Sequence, residues 1–190
     1  MAITTLNNRS INRSDTATSG QKWTATSATA SDFQAAGGIT AASQWRVTTT
    51  FAGNADPIAS NWEEADAPTG FGVLGSSMTE SSGVFTFPST GYWLILTQFR
   101  QSSNAADGWG YGNVLTTHNN STYTTATTSA AYADVNGTST AAGHYIFDVT
   151  DTTNYKCKIG YWQFTNSSNT CEGNTGYQRT GVTFIRLGDT

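Results

Sequence analysis

Charge is scarce in this chain of 190 residues: Lys, Arg, Asp and Glu together make up 12%, against roughly 25% in a typical soluble domain. Only nine side chains are Lys or Arg, none clustered, and the net charge is −4. This argues against a nucleic-acid binder, because neutralising phosphates needs a concentrated basic surface. Histidine occurs twice, at His118 and His144, with no second ligand at metal-binding spacing, and no Gly-x-Ser-x-Gly nucleophile motif is present. The residues therefore imply no enzyme, metal or cofactor. Cys157 and Cys171 are too few for a disulfide framework; in a reducing compartment free thiols are expected, with a cross-strand bridge as the alternative. No apolar run approaches the roughly 20 residues of a membrane helix, and MAITTLNNRS lacks the charged start and apolar core of a secretory signal. Cytosolic synthesis without membrane insertion is the expectation.

Thr, Ser, Asn and Gly take the place of the missing charge, beside 37% hydrophobic and 12% aromatic residues. Thr fits a pleated surface through its β-branch, and Gly, Asn and Ser supply turns. The chain reads as all-β: short strands divided by turn signals, with no helical period, which points to an antiparallel sandwich or jelly roll. Strands are expected at 44–51, 71–74, 84–87, 92–99, 112–117, 122–127, 144–149, 156–164 and, in pieces, 176–187. A long loop is expected at 54–69. Residues 1–40 are too poor in apolar side chains for a core of their own, so they read as an arm that docks on a partner, a flexible tail or an edge strand. Residues 41–190 form the sandwich.

Two stretches are apolar on both faces. In GVFTFPSTGYWLILTQFR (83–100), a turn at Pro88-Ser89-Thr90-Gly91 joins two runs as an expected tight hairpin. Side chains alternate across a strand, so Tyr92, Leu94 and Leu96 face one way and Trp93, Ile95 and Phe99 the other. In TGVTFIRLG (180–188), Val182, Phe184 and Arg186 oppose Thr183, Ile185 and Leu187. A half-solvated antiparallel strand would alternate apolar with polar, so both faces require cover, from the same chain or from a neighbour.

Chemistry has few candidates. Glu63, Glu64 and Asp66 read either as an acid–base or cation-binding group or as a solvated loop. Asp148 and Asp151 are alternative cation donors, Asp151 more simply serving a turn. The run Asp107-Gly108-Trp109-Gly110-Tyr111-Gly112-Asn113 reads as a loop whose rings Trp109 and Tyr111 stack on a sugar while Asp107 and Asn113 bind its hydroxyls. The alternative is that Trp109 plugs the end of the sandwich.

Over residues 45–188 the chain resembles the globular-head jelly roll of the tumour necrosis factor and complement superfamily. The resemblance is carried by Gly83-x-Phe85-x-x-Pro88-x-x-Gly91-Tyr92-Trp93, the strand–turn–strand from Asp148 to Ile159, and the closing Thr183-Phe184-Ile185-x-Leu187-Gly188. It implies a compact homotrimer with one face of the central strands along the threefold axis, and hence an interface at Tyr92, Leu94, Leu96, Phe184 and Arg186. No collagen-like stalk is present. The opening MAITTLNNRSINRSDTATSGQ resembles structural proteins of tailed, especially marine, bacteriophages. That likeness implies a virion protein mounted through residues 1–40 on other virion proteins. Its head would bind a host-surface glycan or protein without enzymatic activity. A capsid decoration protein and a free, monomeric carbohydrate-binding module are the alternatives.

Overall fold

The computed structural model describes residues 21–25, 31–35, 38–104, 108–163 and 169–190. The chain divides into two units, Met1–Gly38 and Ile39–Thr190. In the first, β1 (Gln21–Ala25) and β2 (Ser31–Ala35) pair antiparallel with each other. The rest of the expected 1–40 arm, apart from residues 38–40, lies outside the described residues.

The second unit is an all-β jelly roll of two antiparallel sheets, with no helix among the described residues. Its strands are β3 (Ala42–Val47), β4 (Phe51–Ala52), β5 (Trp62–Glu64), β6 (Thr79–Ser81), β7 (Val84–Thr86), β8 (Gly91–Ser103) and β9 (Gly108–Thr117). They continue with β10 (Thr124–Ala133), β11 (Thr138–Val149), β12 (Lys156–Gln163), β13 (Asn169–Cys171) and β14 (Gly181–Gly188). One sheet runs β10-β9-β12-β7-β6. In the other, β8 is central: β11 lies along one edge, β14 and β13 share the other, β3 and β4 flank these, and β5 follows β3. Chain crossings from sheet to sheet at β7–β8, β8–β9, β10–β11 and β11–β12 make the jelly roll.

The inward side chains of both sheets form one core. Phe85 of β7 and Phe87, just beyond its end, meet Trp93 and Phe184 from the other sheet, with the Phe85–Phe184 rings 5.1 Å apart and Phe87–Trp93 5.4 Å apart. Each such side chain removed from water contributes about 1.5–3 kcal/mol.

Several strand expectations change in the folded chain. The runs around Pro88–Gly91 do not form a hairpin, because β7 and β8 belong to different sheets. The intervening segment is a corner, held where Trp93 Nε1 donates to Ser89 O at 3.1 Å and Arg186 Nε donates to Thr90 O at 2.9 Å. The expected 44–51 strand breaks after Val47 because β3 pairs with β14 while β4 pairs with β13. The expected loop at 54–69 contains β5, recruited by β3. Residues 71–74 make only one bridge, Leu74 to Ala42. Strands β9, β10 and β11 are longer than expected, since neighbours extend the pairing past the local apolar pattern.

Candidate functional site

The aromatic–glycine run is a strand and not a loop. In β9 the glycines at 108, 110 and 112 face the core, while Trp109, Tyr111 and Asn113 face outward on the five-stranded sheet. Side chains from the opposite layer require those glycines: a Cβ on Gly110 would overlap Gln101, and one on Gly112 would overlap the Phe99 ring. Gln101 is buried and saturated. Its Nε2 donates to Gly108 O and Ala131 O, both at 2.8 Å, and its Oε1 accepts from the Tyr161 hydroxyl at 3.0 Å. Burial, and then the neighbouring Cys171, pushes the Tyr161 phenol up, so it stays a donor.

Register places the outward residues in rows. Tyr111 lies between Trp162 of β12 and Ala130 of β10. Asn113 lies between Gly160 and Thr128. Trp109 stands opposite Tyr132, their rings 5.3 Å apart, and both are exposed. Tyr111, Asn113, Thr128, Trp162 and Gln163 line a surface hollow of about 360 Å³, within the roughly 300–1,000 Å³ of ligand sites. Of the sequence-derived ligand residues, the fold thus gathers Tyr111 and Asn113 and sets Trp109 one row away; Asp107 lies outside the described residues. Trp162 was missed. Its signal is the strand Lys156–Gln163, where Trp162 shares the face of Lys156 and Lys158 and not that of Cys157, Ile159 and Tyr161.

Part of the outer face of the other sheet is apolar. Across β3, β14, β8 and β11 the side chains of Ala42, Ile185, Leu94 and Ile146 form one row. Ile146 is 55% exposed, and Tyr92 and Leu96 on the same face are 42% and 38% exposed. Tyr92, Leu94 and Leu96 therefore point away from the core. Phe184 does not: it is fully buried against Phe85 and Phe87, so the outward side chains of β14 are Thr183 and Ile185. Arg186 is also turned back on its own chain, bonded to Thr90 O, to Thr40 Oγ1 at 3.2 Å and to Asp189.

Several of the other candidates have structural roles, although Glu64 and Asp148 each keep a buried carboxylate oxygen with no partner among the described residues. Glu63 and Asp66 pair with Arg46, whose guanidinium is buried beneath them. Asp151 accepts from the Thr153 N–H at 2.8 Å and from Asn154 Nδ2 at 2.6 Å, and these bonds hold its carboxyl below the usual range. His118 packs near the Tyr155 ring, and His144 is exposed opposite Leu96. Cys157 and Cys171 are buried free thiols, and burial pushes both up, Cys171 to about 12. Among the described residues no group of three His, Cys, Asp or Glu side chains is placed to hold a metal ion.

No protein-family model matches the chain, and no curated protein sequence matches it. Solved structures do. Murine APRIL aligns at a TM-score of 0.56 with 9% identity, over 77% of this chain and 98% of that one. Eiger TNF from S. frugiperda aligns at 0.56 with 11% identity, over 78% and 93%. Across so wide a sequence distance, what this chain shares with them is the tumour necrosis factor-type jelly-roll fold.

Proposed function

We propose that the chain is a non-enzymatic binding head that assembles as a homotrimer. The observation that carries this reading is the outward row Ala42–Ile185–Leu94–Ile146, extended by Tyr92 and Leu96. A contiguous apolar patch on a sheet face marks a contact surface. In a ring of three identical chains each contact joins two different patches. Besides the apolar row, the chain offers the side of the sandwich where β10 and β11 end their sheets. The similarity in fold to APRIL and Eiger TNF supports the reading.

The head belongs to a tailed-phage virion, mounted through residues 1–40 and recognising the host surface. The likeness of the opening segment to phage structural proteins supports this placement. Three rigidly linked weak sites gain avidity without new contacts. Light scattering of the full-length protein should give the mass of three chains, and Leu94→Glu should reduce it to one; a wild-type monomer at micromolar concentration would sink the trimer. An antibody against the protein should label appendage tips on purified virions. Label spread over the shell would favour capsid decoration instead.

A further inference from the structure

We infer that the hollow on the outer face of the five-stranded sheet is a binding site for a neutral pyranose sugar. Trp162 is its stacking platform and Asn113 its hydrogen-bonding group. The inference rests on the reading of this chain as a surface-binding head, and it supplies the ligand class.

Asn113 is an amide of the lining. It lines the hollow, and its Oδ1, covered by neighbouring atoms, has no hydrogen-bond partner among the described residues. A buried acceptor without a donor is unfavourable unless something else supplies the donor. The hollow beside it is large enough to admit a ligand. A sugar hydroxyl both donates and accepts, so it serves either orientation of the Asn113 amide.

The rings identify the rest of the ligand. Tyr111 and Trp162 are direct cross-strand partners pointing to the same side, and Trp162 is 44% exposed. Such a pair offers flat apolar area that loses little conformational entropy on binding. A pyranose has an apolar C–H face to lie on an indole and hydroxyls around its edge, which matches rings adjoining Asn113, Thr128 and Gln163. The described lining residues carry no charge. Gly160, opposite Asn113, has no side chain, and a Cβ there would stand only 2.9 Å from Asp56 Oδ1. With no cation among the described lining residues, a uronic or sialic acid would find no ion-pair partner in the hollow. Lys158, on the same face of β12, is held over the Tyr123 ring at 3.7 Å.

The test uses the full chain, with maltohexaose, cellohexaose, laminarihexaose, chitohexaose and β-1,4-galactohexaose as neutral probes and hexagalacturonate as the acidic one. Binding is read by saturation-transfer NMR and tryptophan fluorescence. At least one neutral probe should bind. Its affinity should fall about ten-fold or more in both Trp162→Ala and Asn113→Ala. It should stay unchanged in Tyr177→Ala, which removes an exposed ring from a different loop. Trp162 is exposed, so its removal leaves the core intact, and circular dichroism checks this. No binding by any neutral probe, binding of hexagalacturonate alone, or binding that survives Trp162→Ala each overturns the site. Light scattering on the same samples separates the two readings: a monomer that binds sugar ends the trimer but keeps the site, whereas a trimer that binds no probe ends the site alone.

Discussion

Gly112 shows how a single atom can be excluded by the opposite layer. The Phe99 ring, from β8, occupies the space where a Cβ at 112 would lie. Elsewhere in a strand, replacing glycine by alanine reduces the entropy lost on folding. Here the added methyl must displace an aromatic ring in a closely packed core, which costs about 1–3 kcal/mol. Gly112→Ala should therefore lower the urea midpoint with an unchanged slope, whereas Gly188→Ala, where nothing stands within 4 Å, should leave it nearly unaltered. A neutral or stabilising Gly112→Ala would mean that Phe99 is free to move. The same packing produces the aromatic face, since the inward glycines leave Trp109, Tyr111 and Asn113 as the large side chains of this part of β9. That alternation is visible in the sequence, but Gln101 and Phe99, which make it necessary, come from another strand.

Among the elements, β8, like β9 in the other sheet, has partners on both edges for nearly its whole length: β11 from Gly91 to Ser102, and β14 then β13 on the other side. Its inward side chains Trp93, Ile95 and Phe99 are buried. Opening it breaks two ladders and exposes the core, so its amides should exchange only through the most global unfolding. Strand β6, three residues at the end of its sheet with one partner, should exchange far sooner. Hydrogen-exchange mass spectrometry across peptides 91–103 and 79–81 checks the order. Equal protection would show that the sandwich opens as one unit. The position and apolar doubling of β8 are legible in GYWLILTQF, because period-two alternation is local. Its separation from β7 is not legible, because Pro-Ser-Thr-Gly suits a hairpin turn as well as a corner between sheets.

For the whole molecule, three buried acidic groups couple stability to alkaline pH. Burial pushes the Cys171 thiol from 9.0 up to about 12, raises the Cys157 thiol and raises the Tyr161 phenol, which Cys171 assists. These groups keep their protons in the folded chain after their unfolded counterparts have lost them. The folded state then binds more protons than the unfolded one, so stability falls as pH rises, by about 1.4 kcal/mol per pH unit for each proton of difference. The contribution is fully present below pH 9.0 and for Cys171 is lost progressively up to about 12. Urea midpoints should drop over this window, less steeply in Cys171→Ala, and a level wild-type profile would contradict the burial. Assembly adds a second global effect: if three chains associate through the Leu94 face, the midpoint should rise with protein concentration.

The residue order alone establishes an all-β chain, most of its strands and the pairs of faces along β8 and β14, because these depend on composition and on alternation within a few residues. Which face is covered depends on partners far away in the chain. Packing between layers put Phe184 inside and left Tyr92, Leu94 and Leu96 outside. The corner at Thr90 and the tail at Asp189 drew Arg186 back onto its own chain. Pairing of β12 with β9 set Trp162 beside Tyr111 across 51 positions of sequence. Alternation assigns residues to a face, but only long-range pairing brings faces together, and the candidate sugar site exists only where two such faces meet.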